Sequence, residues 1–118
     1  MLSKDYSEYN YTQLAQSRPS GTSAVSLVNP SANQDVMVTS VVIANTTGSA
    51  AAYSIFHDID GTTYDQTTAL AYAVSLPANS FVEVRIEFPL ATTAGNLAIQ
   101  TDTSNALTFT AYGYQRIQ

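Results

Sequence analysis

The sequence has no cysteine and no tryptophan, and it carries little charge. Without cysteine the chain can form neither a disulfide framework nor a thiolate metal site. Charged residues make up 11% of the chain, where about 25% is usual. Serine, threonine, asparagine, glutamine and alanine take their place. Such a surface can be buried against a neighbouring protein without stranding ions at low dielectric constant, which is typical of a subunit in an assembly.

Cations are the scarcest charged group. The four are Lys4, Arg18, Arg85 and Arg116, against nine acidic residues and a net charge of −5. Binding to nucleic acid at physiological salt requires several phosphates to be neutralised together, and an anionic membrane surface attracts clustered basic residues. Four scattered cations supply neither. The composition therefore predicts no direct nucleic-acid partner and no membrane partner.

Long apolar runs are also missing. The beginning of the chain lacks the apolar stretch of a secretory signal. The longest apolar segment, residues 36–44, is too short to span a bilayer. A chain of 118 residues is long enough for one domain with its own core and too short for two comfortable ones.

The periodicity that is present is the two-residue period of β-strands. It is clearest at residues 81–88, where apolar side chains predicted to face the core alternate with charged ones predicted to face water. That core set is Val82, Val84, Ile86 and Phe88, joined by Leu107 and Phe109. The other segments with strand character are residues 11–15, 24–28, 36–44, 53–59, 70–76, 97–100 and 107–112.

Several of these segments carry more specific expectations. Residues 36–44 are apolar on both faces, which indicates a central strand or a strand at a subunit contact. In residues 70–76 the apolar set predicted for the core is Leu70, Tyr72, Val74 and Leu76. The pair Asp60-Gly61 predicts a two-residue type I′ hairpin. Seven or eight short strands without a helical stripe predict an all-β chain, an antiparallel β-sandwich with jelly-roll-like topology.

Residues 1–20 differ from the sandwich domain predicted for residues 21–118. They are polar and rich in tyrosine, and they end in a Pro-Ser-Gly loop signal. A segment with few aliphatic residues cannot offset its own ordering entropy, whereas tyrosines bury a large area on a partner at little rotamer cost. We therefore predict an extended N-terminal arm that orders on a neighbouring subunit. Its predicted partner-binding residues are Tyr6, Tyr9, Tyr11 and Arg18. The alternative makes residues 11–15 a strand of the sandwich.

Candidate catalytic groups are sparse. His57 is the one histidine, and no Gly-x-Ser-x-Gly motif accompanies it. Residues 58–65 resemble a calcium loop only faintly, because the carboxylates expected at its first and twelfth positions are missing. Glu83 and Glu87 lie about 13 Å apart on a strand, beyond the spacing that glycosidases use. The sequence therefore predicts no enzyme, no catalytic residue, no cofactor and no metal site.

Several segments resemble small β-sandwich virion proteins of tailed bacteriophages. The first is VVIANTTGSAA at residues 41–51, an apolar strand ending in an Asn-Thr-Thr-Gly turn. It is followed by YSIF at residues 53–56 and DGTTY at residues 60–64. A Pro-Ala-Asn-Ser turn at residues 77–80 opens the next strand, and GNLAIQT follows at residues 95–101. The resemblance covers about two-thirds of the chain, from residue 36 onward.

The resemblance implies a structural protein of the capsid decoration, or cement, type. Such a protein would bind over capsomer junctions on the outer surface of the virion and stabilise the phage head. Its implied partners are the major capsid protein or other virion subunits, and its implied assembly is a homotrimer. One alternative is a tail, fibre or adhesin module that binds a host-surface glycan. Tyr53, Tyr64 and Tyr72 are candidates for stacking a sugar, although tyrosines at a core edge or an interface with a hydrogen-bonded hydroxyl are the more frequent case. Another alternative is a small cupin-like enzyme, against which a single histidine argues.

Overall fold

The computed structural model describes residues 9–30, 34–58, 61–90 and 96–117. These ranges form eight β-strands, and no helix that could cross a membrane occurs in them. The strands are β1 (Asn10–Ser17), β2 (Val25–Val28), β3 (Gln34–Asn45), β4 (Ala51–Asp58), β5 (Ala69–Leu76), β6 (Ser80–Leu90), β7 (Asn96–Thr101) and β8 (Leu107–Ile117). Each strand overlaps one of the segments with a two-residue period, so the prediction of an all-β chain is confirmed.

The strands form two antiparallel four-stranded sheets. Sheet A has the order β1-β8-β3-β6, and sheet B has the order β2-β7-β4-β5. Consecutive strands cross from one sheet to the other at every step except β4 to β5, which are neighbours in sheet B. Two four-stranded sheets connected in this way make a jelly roll. The predicted antiparallel sandwich of jelly-roll type is therefore confirmed.

The hydrophobic core lies between the inner faces of the two sheets. Leu107 and Phe109 are buried there, as predicted, and Val82, Val84 and Ile86 of the edge strand β6 are partly buried against the same core. The side chain of Phe88, predicted for the same core, lies outside the described residues. The largest buried members of this core are Phe109, Ile43, Ile55, Leu97, Ile99, Leu107, Val38 and Val41.

Strand β3 is apolar on both faces because its register changes in the middle. It lies between β8 and β6, so it is a central strand. Its pairing with both neighbours shifts between Val38 and Ser40. One extra residue moves every following side chain to the opposite face. Val36 and Val38 before the shift and Val41 and Ile43 after it therefore all face the core.

The prediction that residues 70–76 bury one apolar face is wrong except at Leu76. Leu76 is buried, whereas Leu70, Tyr72 and Val74 are exposed. Two register shifts interrupt the pairing of β5 with β4, and Ala73 has a positive φ of 51°. Bulges of this kind are common in edge strands because they discourage pairing with other chains. In β5 the alternation of apolar and small residues in the sequence therefore does not correspond to an alternation of buried and exposed side chains.

The predicted Asp60-Gly61 hairpin is wrong as well. Strand β4 ends at Asp58 and β5 begins at Ala69, so a long loop joins them. A carboxylate oxygen of Asp58 accepts hydrogen bonds from the backbone N–H groups of Thr62 (2.9 Å) and Thr63 (2.5 Å). These bonds hold the loop in place of a tight turn. Asp60 itself lies outside the described residues.

The same loop covers an apolar residue on the outer face of sheet B. Tyr53 and Ile55 point into the core between the sheets, and Phe56 points away from it. Phe56 is nevertheless fully buried, because the rings of Tyr64 (6.2 Å) and Tyr72 (6.3 Å) pack against it. Both faces of β4 are therefore buried, which explains why the sequence left its core face ambiguous.

The boundary predicted at residue 20 differs from the structure. Residues Asn10–Ser17 form β1, which pairs along its length with β8 at the edge of sheet A. Leu14 and Ala15 pack against the core. The expectation of a free arm considered only the low aliphatic content, and it left out the backbone hydrogen bonds that β8 offers. In the structure residues 11–15 belong to a strand of the sandwich, as the alternative prediction stated.

Buried Asn45 joins two turns at one end of the sandwich. Its side-chain nitrogen lies within hydrogen-bond distance of the carbonyl oxygens of Ser49 (2.9 Å), Leu76 (3.1 Å) and Pro77 (3.2 Å). Its side-chain oxygen accepts hydrogen bonds from the backbone N–H (3.0 Å) and hydroxyl (2.7 Å) of Thr47. The Asn-Thr-Thr-Gly turn of the sequence resemblance thus has a structural role, since buried polar groups must be paired.

Gly113 is expected to be intolerant of any side chain. A Cβ at this position of β8 would lie 2.0 Å from the backbone carbonyl oxygen of Met37 in the neighbouring strand β3. Overpacking against backbone typically costs about 1–3 kcal/mol or more. Gly113→Ala should therefore lower the free energy of unfolding, measured by denaturant titration, by at least about 1 kcal/mol. Gly48→Ala is the matched control, since nothing lies within 4 Å of its Cβ; equal effects of the two substitutions would contradict the register of β8 on β3.

Candidate protein-binding surface

A row of exposed apolar side chains crosses the outer face of sheet A near one end. The strand register pairs Tyr11 with Tyr114, Tyr114 with Met37, and Met37 with Pro89. Directly paired residues share a face of the sheet. Tyr11 is 58% exposed, Tyr114 42% and Met37 41%, and Pro89 is exposed as well. We call this set the apolar row: Tyr11, Tyr114, Met37 and Pro89.

The tyrosines of the apolar row are held in place by their neighbours. The rings of Tyr11 and Tyr114 meet edge to face, with centroids 5.0 Å apart. Such pairs contribute about 0.5–1.5 kcal/mol beyond their buried area. The hydroxyl of Tyr11 lies 3.4 Å from Thr39 Oγ1, and the Thr39 hydroxyl donates to the carbonyl oxygen of Tyr112. The rings are therefore preorganised, so less side-chain entropy is lost when a partner covers them.

An ion pair borders the apolar row. Arg116 and Asp35 form a salt bridge of 2.5 Å, and the guanidinium carbon of Arg116 lies 4.7 Å from the ring centroid of Tyr9. A cation over a tyrosine face is stabilised by the ring quadrupole. Arg116 and Asp35 lie two residues along β8 and β3 from Tyr114 and Met37, and their charges neutralise each other there.

A groove of 670 Å³ lies at the same end of the sheet. Its lining combines members of the apolar row with neighbouring residues of β3 and β6 and with Tyr9, which precedes β1. The lining residues are Tyr9, Asp35, Val36, Met37, Pro89, Leu90 and Tyr114. This volume is within the range of small-molecule pockets, but its apolar lining continues directly into the exposed row. Groove and row together form one extended apolar surface.

The structure separates the residues predicted to bind a partner into two places. Tyr9 and Tyr11 lie together at the apolar row, and Tyr6 lies outside the described residues. Arg18 follows the other end of β1, about 23 Å from Tyr11 along the strand at about 3.3 Å per residue. There its guanidinium donates to Thr46 Oγ1 (3.0 Å) and to the carbonyl oxygen of Asn105 (2.5 Å). Arg18 therefore links two loops of its own domain.

Sequence reasoning missed the other three members of the apolar row. Met37, Pro89 and Tyr114 come from three different strands, and only the register brings them beside Tyr11. The sequence bears on this surface at one point: residues 36–44 are apolar on both faces, which predicts a central strand or a strand at a subunit contact. The structure has the central strand, and the subunit contact stays a prediction. In this strand Val36 and Val38 are buried in the core, and Met37 between them is an apolar residue on the opposite, exposed face.

The polar residues considered for chemistry have structural partners. Burial lowers the pKa of His57, and the neighbouring Asp58 partly opposes this shift. Hydrogen bonds from Thr67 lower the pKa of Asp65. Glu83 forms an exposed salt bridge of 3.6 Å with Arg85. Among the described residues, no group of three or more histidine or carboxylate side chains is arranged to hold a metal ion.

Of the three tyrosines considered for sugar stacking, only Tyr72 is well exposed. Tyr53 is buried in the core. Tyr64 is partly buried over Phe56, and its hydroxyl donates to the carbonyl oxygen of Gly61 and lies 2.6 Å from Asn96 Nδ2. Tyr72 is 50% exposed on the outer side of sheet B. It is therefore the one member of that set with a surface open to a ligand.

No family model matches the chain, and a search of curated proteins gave no significant match. Solved structures do resemble it. A structure of the infectious bursal disease virus Gx strain aligns over 90% of this chain with a TM-score of 0.50 and 14% identity. The VP2 subviral particle of the same virus aligns over 91% at a TM-score of 0.46 and 16% identity. The coat protein of Tobacco streak virus aligns over 98% of this chain and 90% of its own at a TM-score of 0.45 and 8% identity.

The likeness to the Gx strain structure concerns the fold. This chain spans 29% of the length of that chain, and 31% of the VP2 chain. At 14% identity, the shared feature is the β-sandwich itself. The arrangement of two jelly-roll sheets is thus one that a viral protein also has.

Proposed function

We propose that this chain is a structural virion protein, a capsid decoration (cement) protein that binds over capsomer junctions on the outer surface of a phage head. Its partners would be the major capsid protein or other virion subunits. By the sequence resemblance, its own assembly would be a homotrimer. The observation that carries the proposal is the apolar row, a preorganised strip of Tyr11, Tyr114, Met37 and Pro89 on the outer face of sheet A.

The composition of the row suits a protein partner. Tyrosine and methionine are enriched at protein interfaces, and charged residues are depleted from interface cores. The bordering charges, Arg116 and Asp35, are paired with each other. A partner that covers the row would therefore bury apolar area without isolating an ion in a dry interface, which is the costly alternative.

The fold and the sequence support the same class of function. The topology is that of a jelly roll, an architecture found in viral capsid proteins. The likeness to the infectious bursal disease virus structure is consistent with this class. The bacteriophage assignment and the cement role depend on the sequence resemblance from residue 36 onward.

The proposed binding residues follow from the geometry. Tyr9 and Tyr11 remain in the set because both lie at the apolar row, and Met37 and Tyr114 join them. Tyr6 stays a prediction from sequence. Arg18 is placed outside the set, because its guanidinium holds two loops of its own domain at the opposite end of β1.

Particle binding tests the proposal. Tyr11→Ala and Tyr114→Ala are each expected to weaken binding to particles assembled without this protein by about thirtyfold, which corresponds to the loss of about 2 kcal/mol typical of an interface hot spot. Binding would be measured by titrating the purified protein onto such particles and quantifying the bound copies. Because the two rings contact each other, the effects should be less than additive in the double variant.

Phe81→Ala is the matched control. Phe81 is 70% exposed at the far end of the same sheet, where it pairs with Ala44. Its removal should leave particle binding unchanged. A double variant of Tyr11 and Tyr114 that melts like the wild type and still fills all its sites on the particle would refute the proposal.

A further inference from the structure

A second groove lies on the outer face of sheet B, on the opposite side of the molecule from the apolar row. It has a volume of 390 Å³, at the small end of the range for small-molecule sites. Its floor is made by Ala52 and Ser54, two small residues of β4. Strand β5 borders this floor on one side, and strand β7 borders it on the other. Two strand spacings of about 4.8 Å separate these walls by about 10 Å.

Tyr72 forms the wall on the side of β5. The bulge at Ala73 places it there: Ala73 has a φ of 51°, and its backbone N–H donates to Ser54 Oγ (2.8 Å). The Tyr72 ring meets the buried ring of Phe56 at 74° with centroids 6.3 Å apart. This contact fixes the ring while half of the residue stays exposed. An aromatic surface is thus held beside a floor of small residues.

Gln100 and Asp102 form the wall on the side of β7. One carboxylate oxygen of Asp102 accepts hydrogen bonds from the backbone N–H of Ala52 (2.8 Å) and the hydroxyl of Thr103 (2.9 Å). The side-chain nitrogen of Gln100 donates to the carbonyl oxygen of Thr22 (2.9 Å). These bonds orient both side chains. Within the part of the chain that the structure describes, the second carboxylate oxygen of Asp102 and the amide oxygen of Gln100 accept no hydrogen bond.

We propose that this groove binds a neutral sugar. A sugar ring has an apolar face that can lie on an aromatic ring and hydroxyl groups that can donate to oriented acceptors. Tyr72 supplies the aromatic surface, and Asp102 and Gln100 supply the acceptors. No lysine or arginine lines the groove, so a phosphate or carboxylate ligand would meet the charge of Asp102 without compensation. The sugar would be presented on the side of the molecule away from the proposed capsid contact.

The site goes beyond the cement function and does not depend on it. A decoration protein bound through sheet A would leave sheet B facing outward, where it could contact glycans on a cell surface. A tail or fibre subunit could use the same groove. The site is therefore tested with the isolated full-length chain, and its failure would leave the particle-binding experiment unaffected.

Saturation-transfer NMR with free sugars tests the proposal. The probes are glucose, galactose, mannose, N-acetylglucosamine and their disaccharides, with sialic acid as the anionic comparison and a short oligolysine peptide as the cationic one. We expect transfer to at least one neutral sugar and none to sialic acid. Tyr72→Ala should weaken that binding by about tenfold or more, a loss of about 1.4 kcal/mol, whereas Tyr72→Phe, which keeps the ring, should retain it.

Two further variants separate binding from folding. Asp102→Asn keeps one oxygen to accept from the backbone N–H of Ala52 and replaces the second, ligand-facing acceptor with an amide donor. It leaves the Tyr72 ring and its contact with Phe56 in place, so it should weaken binding even if Tyr72→Ala is unstable. Tyr11→Ala, on the opposite face, should bind the sugar like the wild type and lose particle binding. Absence of binding to every neutral sugar, binding of the oligolysine peptide alone, or unchanged sugar affinity in folded Tyr72→Ala and Asp102→Asn would each overturn the proposal.

Discussion

Deletion of residues 1–17 is expected to unfold the domain, whereas deletion of residues 1–8 is expected to leave it folded. The longer deletion removes β1, which pairs with β8 from Asn10 to Ser17. It also removes Leu14 and Ala15 from the core and the hydrogen bond from Gln16 to Thr110. Strand β8 would then become an edge strand, paired with β3 on one side and with no strand on the other. The shorter deletion retains all eight strands.

Circular dichroism and thermal melting distinguish these outcomes. The protein without residues 1–17 should be insoluble or show no cooperative transition, and the protein without residues 1–8 should melt near the temperature of the full chain. Particle binding by the shorter deletion variant measures separately what the segment containing Tyr6 contributes. A cooperative transition of the longer deletion variant at the wild-type temperature would show that β1 is dispensable, as an arm would be.

Phe109→Ala is expected to lower the free energy of unfolding by about 3–5 kcal/mol. Phe109 is 0% exposed and lies on β8, between β1 and β3. Removing its ring loses the transfer free energy of the apolar atoms and leaves a cavity that the surrounding strands cannot fully close. Denaturant titration would measure the change in the free energy of unfolding. An unchanged slope of the transition would show that unfolding of the variant exposes the same surface area as unfolding of the wild type.

Phe81→Ala is the control for this substitution, because it removes the same atoms from a side chain that is 70% exposed. It should change the free energy of unfolding by no more than about 0.5 kcal/mol. A small effect of Phe109→Ala would mean that β8 presents its other face to the core. The particle-binding experiment uses the same control variant, so one preparation serves both tests.

The sequence pattern predicts only some of the residues at the candidate protein-binding surface. The sequence predicts Tyr9 and Tyr11 as binding residues because tyrosines in a polar segment suggest a contact, and their binding role stays a prediction. The reason given, a free arm, was wrong for Tyr11, which lies on a paired strand. Arg18 is predicted with them because it belongs to the same N-terminal segment. A strand extends by about 3.3 Å per residue, so Arg18 lies at the other end of β1, away from Tyr11.

The bulges mark the limit of strand prediction. In β6 the apolar and charged residues alternate without interruption, and the structure follows the pattern. In β5 an equally regular pattern is interrupted by two register shifts, and Leu70, Tyr72 and Val74 are exposed. A bulge depends on the hydrogen bonds available from the neighbouring strand, such as the one from Ala73 to Ser54. The local sequence does not contain that partner.

The sequence by itself determined the number and approximate position of the strands, the sandwich architecture and a surface poor in charge. These follow from local properties: the two-residue period assigns side chains to faces, and turn residues separate the strands. Only the tertiary structure decided which residues meet. The apolar row combines β1, β8, β3 and β6, and the sugar groove combines β4, β5 and β7. Both depend on strand order and register, which are set by long-range pairing between strands far apart in the chain.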